Sequence, residues 1–339
     1  MSRLVTVVVP AHGHADRVAA LLAELDRQAA GGPPLPVVVA DDASPRPLAD
    51  ELEAVTFPDL ALTFVRRGVN GGPGAARNRG VEAVETPWVA FFDSDELPGP
   101  GWLERMERVA GSDDAPDGVE GRITTGDERA TPFTHIAEAT LPGAHHVAGN
   151  IAFRTDVLRR LGGFDERFYD AGVRVHFRED TELFFRVDDA GLDVPFDPEL
   201  LAHHPPLPAS YSSPLRDARR YYFDALLARE HGDRFRAFNR LRRVGPVPLR
   251  TARHLAAVGH VGAVLVTVAS LLAGRRAAAG VAGVVATSTW GANVAALAWG
   301  RRVPREDVLP LLLVALGVPW VYVLYYYRGV RRFRHLPRL

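Results

Sequence analysis

Through the first two hundred residues, short continuous apolar runs alternate with longer periodic ones. Val5–Val9 is β-branched and unbroken, the pattern of a strand buried on both faces. Ala15–Ala29 instead sets Val18, Leu21, Leu22 and Leu25 at helical spacing along one face, and Gly31-Gly32-Pro33-Pro34 ends it. Val37–Ala40, Leu60–Val65 and Trp88–Phe92 read as further buried strands, with a helix over Gly74–Val84 between the last two. Strands alternating with helices predict parallel βαβ units in a doubly wound α/β sheet. Ligands of such sheets gather at the carboxyl ends of the strands.

The last third follows another rule. Leu255–Ala273, Ala277–Trp299 and Val308–Tyr327 are apolar around their whole circumference and reach the ~20 residues that cross a bilayer. Arg275-Arg276 and Arg301-Arg302 punctuate them, and Trp320 and Tyr325-Tyr326-Tyr327 suit an interfacial aromatic belt. His260 and Asn293 are the conspicuous polar exceptions. A buried soluble bundle is the competing reading, and the lack of a polar face argues against it. Arginines flank every segment, including the Arg331-Arg332-Phe333-Arg334 tail, so counting positive charges leaves two or three spans open. Before the spans, Leu215–Asn239 reads as one helix in which Tyr221, Tyr222, Phe223, Leu226, Leu227, Phe235 and Phe238 stand among arginines. It is expected to lie on an anionic membrane surface. Met1-Ser2-Arg3 leads straight into the first strand without a signal-peptide pattern, so the N-terminal part is expected on the cytoplasmic side. The expected division is 1–205 for a catalytic domain, 206–250 for arginine-rich juxtamembrane helices and 251–339 for the membrane region.

Composition removes several chemistries. A net charge of -1 gives no reason to expect a nucleic-acid partner. The absence of cysteine excludes disulfides and thiol nucleophiles, and the absence of lysine excludes a Walker A loop and a Schiff base. Three polar clusters then fall at predicted strand ends: Pro10-Ala11-His12-Gly13, Asp41-Asp42-Ala43-Ser44 and Asp93-Ser94-Asp95. Acidic strand ends facing one cleft call for a cation. Oxygen ligands suit Mg2+ or Mn2+, which commonly arrive with a phosphate-bearing substrate. Asn70-Gly71-Gly72-Pro73-Gly74-Ala75-Ala76-Arg77 is a glycine-rich loop entering a helix, expected on the diphosphate side with Arg77 one turn inside. Its likeness to the dinucleotide fingerprint is weak, because it follows the third strand and holds a proline.

Taken in order, Val5-Thr6-Val7-Val8-Val9-Pro10-Ala11-His12, Val39-Ala40-Asp41-Asp42-Ala43-Ser44, Asn70-Gly71-Gly72 with Ala76-Arg77-Asn78-Arg79-Gly80, and Asp93-Ser94-Asp95 resemble glycosyltransferase family 2. The likeness runs on through Gly149-Asn150-Ile151, Leu161-Gly162-Gly163-Phe164-Asp165 and Arg178-Glu179-Asp180, covering roughly residues 4–205. It implies the GT-A fold, a Rossmann-like mixed sheet, here followed by C-terminal transmembrane helices. It also implies inverting sugar transfer from a nucleotide-sugar donor to an acceptor hydroxyl, with Mn2+ or Mg2+ as cofactor. Carried over residue by residue, Pro10 and Ala11 line the nucleoside pocket, Asp42 bonds the base and Asp41 braces the loop. Asp93 faces the donor, Asp95 touches the metal, and His204, favoured over His203, returns to it. Asp180 is the general base, while Gly149, Asn150 and Glu179 lie on the acceptor side. Glu96 is expected to be a solvated neighbour, and His145-His146 and His12-x-His14 pocket-wall or solvated residues. Arg178 stands where the family often has glycine, a place from which it could meet an anionic acceptor. The membrane address points to a lipid-linked or envelope-glycan acceptor. A nucleotidyltransferase of the same fold, a non-catalytic membrane scaffold and a transporter are the rival readings.

Overall fold

The structure is a computed structural model, and it describes residues 2–125, 130–134, 138–140, 148–207, 210–240, 243–244 and 247–334. The chain divides into two compact units. The first comprises residues 1–127 and 136–205, the second residues 128–135 and 206–339.

The first unit is built on one eight-stranded sheet in the order β3-β2-β1-β4-β7-β6-β10-β5. Strands β1 (Val5–Ala11), β2 (Leu35–Asp41), β3 (Leu60–Arg66) and β4 (Trp88–Phe92) run parallel, as the alternation with α1 (Ala15–Ala29), the single turn α2 (Leu48–Glu51) and α3 (Gly72–Val81) predicts. Strand β4 coincides with its apolar run, β1, β2 and β3 are one to three residues longer than theirs, and α3 begins two residues earlier than expected because Pro73 suits a first-turn position. All seven residues of β1 are buried. Val5, Val7 and Val9 enter a core with Leu21, Leu22 and Leu25 of α1, while Val8 faces the opposite core with Val38 and Phe91. That alternation fixes the register. Each fully buried leucine of α1 contributes about 1.5–3 kcal/mol.

The sheet is mixed beyond β4. After the short β5 (Leu97–Pro98) and α4 (Trp102–Ala110), β6 (Gly118–Thr124) pairs antiparallel with β7 (Asn150–Arg154), which itself pairs antiparallel with β4. A small ribbon of β8 (Tyr169–Asp170) and β9 (Val175–His176) lies between α5 (Thr155–Arg160) and α6 (Glu179–Asp189). Strand β10 (Phe196–His203) is parallel to β6 and antiparallel to β5. Because His203 is opposite Leu97, the end of β10 lies beside the turn that holds Asp93-Ser94-Asp95.

In the second unit the segment expected as one helix is broken into α7 (Ser213–Arg219), a 3-10 turn, α8 (Asp224–Glu230) and α9 (Gly232–Arg240). Tyr222, Phe223, Leu226 and Leu227 are buried within the unit, and the backbone of Tyr222 abuts Gly329 of α12 (Val308–Phe333). These apolar groups are thus spent on protein packing. Strands β11 (Arg243–Val244) and β12 (Val247–Pro248) form a short hairpin before α10 (Leu249–Leu272) and α11 (Arg276–Ala298). Among the described residues, three helices are long and apolar enough to cross a membrane, spanning 251–272, 276–298 and 305–333 with mean hydropathies of 2.1, 1.3 and 2.1. The two polar exceptions are used between helices. His260 Nδ1 lies 3.0 Å from Thr289 Oγ1, and Asn293 Nδ2 donates to Ala315 O at 2.6 Å.

Candidate active site

The site collects at the carboxyl ends of β1, β2 and β4. Pro10 and Ala11 are the last, buried residues of β1, beside Ala40 and Asp41, and Asp42 N–H donates to Ala11 O at 2.8 Å. Asp41 braces its loop as expected. Its carboxylate accepts from the amides of Ser44 (2.8 Å) and Leu48 (3.2 Å) and pairs with Arg66. Burial alone pushes the acid up, but these donors outweigh it and hold Asp41 below the usual carboxylate range.

Asp42 is placed less simply. Its carboxylate accepts from Gly71 N–H (3.0 Å) and Gly72 N–H (2.8 Å), with Arg67 Nε at 3.2 Å. Gly72 has φ +82°, and a Cβ there would stand 2.8 Å from the Tyr169 ring, so only glycine fits. The glycine-rich loop therefore offers its first amides to Asp42, and the anion at the start of α3 is a protein carboxylate. Arg67, which the sequence reading passed over, completes that anchor.

Arg77 also departs from expectation. It is 3 % exposed and bridges two acids inside the protein. Nη2 donates to Asp93 at 2.5 Å, Nη1 lies 3.7 Å from Glu179, and the guanidinium stacks over Phe164 at 5.2 Å. Arg77 therefore ties the Asp93-Ser94-Asp95 turn to the start of α6, where Asp180 sits. Glu179 faces Arg77 and His176 (3.8 Å). Burial pushes Glu179 up, but His176 and Arg77 overcome it and hold the carboxyl below its ordinary value. Asp180 moves oppositely, pushed up to about 7 by its enclosure and by the Glu179 charge beside it. Thr181 N–H donates to Asp180 Oδ1 at 2.6 Å and orients the group. Arg178 has φ +81°, the left-handed conformation that favours glycine, and its guanidinium folds over Phe177 at 4.2 Å.

Two expectations need correction. Glu96 is not solvated. It is 1 % exposed, its Oε2 accepts from Asp93 N–H at 3.3 Å, and Oε1 has no hydrogen-bond partner. A Cβ on Gly149 would stand 2.3 Å from Oε1, so the glycine makes room for this carboxyl. Burial first, and then the charges of Asp93 and Asp95, push Glu96 well above the usual carboxylate range. The Asn150 side chain is likewise unavailable to an acceptor. Trp102 Nε1 donates to its Oδ1 at 3.0 Å, and its Nδ2 donates to Arg122 O at 3.1 Å and to Leu200 O at 2.7 Å, clamping α4, β6 and β10.

Asp95 and His204 face each other. His204 Nε2 lies 3.7 Å from Asp95 Oδ1, and Arg17 Nη1 lies 3.6 Å from Oδ2. His203 instead ends β10 in the sheet. Among the described residues no three His, Asp or Glu form a complete metal sphere. The pair still fits a divalent cation. A carboxylate and an imidazole face each other beyond hydrogen-bond reach, and substrate oxygens can supply the remaining ligands. His12 Nδ1 lies 2.9 Å from Asp42 O, His14 caps α1, and His145 and His146 fall outside the described residues.

A mixed sheet of this order, with acidic strand ends and a returning histidine, is the architecture of GT-A glycosyltransferases. Residues 6–167 match the family described as glycosyl transferase family 2. Among curated proteins it is 28% identical over 256 residues to the pre-mycofactocin glycosyltransferase of Mycobacterium tuberculosis, covering 68% of this chain and 49% of that protein. Succinoglycan biosynthesis protein ExoW of Rhizobium meliloti is 41% identical over 118 residues, 31% of this chain and 37% of that one. The chain thus spans about half or less of the length of these relatives. Among solved structures, mannosyltransferase PcManGT from Pyrobaculum calidifontis, in complex with GDP-Man and Mn2+, has the same fold. Its TM-score is 0.50 at 21% identity, over 97% of this chain and 85% of that one.

Proposed function

We propose that this chain is a membrane-anchored inverting glycosyltransferase that moves a sugar from a nucleotide-diphosphate donor to an acceptor hydroxyl. The observation that carries the reading is the Arg77 bridge, which joins the donor-side Asp93 to Glu179, next to Asp180. The nucleoside would lie along Pro10, Ala11 and the anchored Asp42 loop, with Asp93 toward the sugar. Asp95 and His204 would hold Mn2+ or Mg2+, which supplies Lewis-acid stabilisation of the diphosphate when bound.

Asp180 takes the proton of the acceptor hydroxyl as that oxygen bonds to the anomeric carbon. The bond from that carbon to the diphosphate oxygen breaks on the opposite face, its electron pair leaving with the diphosphate. Direct displacement inverts the anomeric centre. A base with a pKa of about 7 suits this work near neutrality. Glu179 acts through its charge on Asp180, and Gly149 lines the acceptor side with backbone. The three apolar helices support a multi-pass membrane protein, and in this reading the sheet unit works on the cytoplasmic face of the cell membrane in envelope glycan or glycolipid synthesis. The names of the relatives, a pre-mycofactocin glycosyltransferase and a succinoglycan biosynthesis protein, support the glycosyl-transfer reading.

Thermal-shift titration of the full-length protein in detergent with nucleoside diphosphates and nucleotide sugars, with and without Mn2+, tests the proposal. At least one nucleotide should raise Tm, and more so with Mn2+. If none does, the transferase reading fails.

A further inference from the structure

Arg17 is the one cation beside Asp95 that the family resemblance does not account for. It sits in the first turn of α1, where the helix dipole disfavours positive charge. Gly13 (φ +69°) and His14 (φ 56°) are successive left-handed residues that turn β1 sharply into α1. That turn places Arg17 against a carboxylate 78 positions away in sequence. Asp95 is bracketed, with Arg17 at Oδ2 (3.6 Å) and His204 at Oδ1 (3.7 Å). Neither contact is a hydrogen bond, and Arg17 keeps 29% of its side chain accessible, so the guanidinium is held by charge alone and can turn away.

The position has a consequence for the order of loading. A divalent cation reaching Asp95 must displace Arg17 or share the carboxylate with a second positive charge. A cation arriving together with a nucleoside diphosphate brings anionic oxygens to which the released guanidinium can turn. Arg17 reaches the same carboxylate as that cation, so its new partner lies within a side chain's reach.

We propose that Arg17 is an additional donor-site residue: a resident counter-ion of Asp95 that opposes binding of the cation alone and turns to the donor diphosphate when cation and donor arrive together. This rests on the proposed donor site and adds to it a positioning residue and a preference for loading metal and donor jointly. It makes Arg17 a device for selecting the metal-diphosphate pair over either component.

The test uses full-length protein in detergent and four variants, Arg17→Gln, Arg17→Lys, Asp95→Asn and the double variant Arg17→Gln/Asp95→Asn, with Tm confirming that each is folded. Calorimetric titration with Mn2+ alone should give binding to Arg17→Gln about three- to fivefold tighter than to wild type, the size of a part-exposed ion pair. Arg17→Lys, which keeps the charge, should return toward wild type. With Mn2+ present, a nucleoside diphosphate should bind Arg17→Gln several-fold more weakly, again with partial recovery in Arg17→Lys. Equal or weaker Mn2+ binding by Arg17→Gln overturns the proposal, as does absence of Mn2+ binding by both wild type and Arg17→Gln, or a tightening that persists in the Asp95→Asn background. If Mn2+ binding tightens but no nucleoside diphosphate binds wild type, the counter-ion role stands alone, and the donor-turning role falls together with the transferase reading.

Discussion

The charged cluster of the sheet unit and the three apolar helices of the second unit use polar side chains differently. In the sheet unit, Arg77, Asp93, Glu96, Glu179 and Asp180 crowd one region, and atoms of Arg77, Glu96 and Glu179 are buried without a hydrogen bond. Along the three apolar helices of the second unit, polar side chains are sparse and several are aimed at backbone. Trp290 Nε1 donates to Leu312 O at 3.1 Å and Asn293 to Ala315 O, while Thr289 and Ala286 O meet His260. Polar groups in the helices thus join one helix to the next. In the sheet unit, charge is concentrated at a stability cost, and the return is in chemistry.

The sharpest way to break this contrast is Asp180→Asn. Transfer should fall by about 10²–10⁴-fold, while nucleotide-induced stabilisation persists, as steady-state kinetics and thermal shift would measure. Loss of nucleotide binding instead would move Asp180 to the donor side. Next in size is Arg77→Met, which leaves Asp93 and Glu179 without their shared counter-charge. Chemical denaturation should lose about 3–5 kcal/mol. Glu179→Gln sharpens the electrostatic half of the comparison. Transfer should rise with pH as Asp180 ionises near pH 7. Removing the neighbouring negative charge makes ionisation easier, so the acidic limb of the kcat profile should move to lower pH. An unmoved limb would show that Glu179 does not tune the base.

On the helical side, Asn293→Leu should cost only about 1 kcal/mol in a detergent unfolding assay, since interhelical hydrogen bonds are worth little net. A loss as large as that of Arg77→Met would erase the distinction. Smallest is Arg178→Gly. Relief of the left-handed backbone, about 1 kcal/mol, less the entropy of glycine, about 0.5 kcal/mol or more, should leave a gain of a few tenths.

The first four strands, α1 and the three apolar helices were legible because each carries its own periodicity. The D-x-D turn, Asp180 and His204 stand out as motifs, on which the proposed roles rest. What the sequence hid were the partners of charged residues. Glu96 reads as one more surface acid until Gly149 is set against it. Arg77 reads as a phosphate ligand until Phe164 and Glu179 enclose it. Asn150 looks like an acceptor residue until Trp102 and two strand carbonyls occupy its amide. The segment 215–239 reads as one amphipathic helix because its period is right, yet turns divide it where Tyr222 and Phe223 pack inward. Each depends on residues tens of positions away, which local pattern cannot supply. Arg17 did leave a trace, a cation in the first turn of a helix, and that trace is meaningful only once an opposing acid is found.

The pairing of β5 with β10 has a consequence in time. Leu97 and His203 are neighbours in space across more than a hundred residues of chain, and the two-residue β5 has its ladder in β10. The loop between them must close before Asp95 and His204 can meet, and closing long loops is slow. A nascent or refolding chain can build the parallel half of the sheet while the Asp95–His204 pair does not yet exist. That corner is therefore expected to be among the last parts of this unit to form.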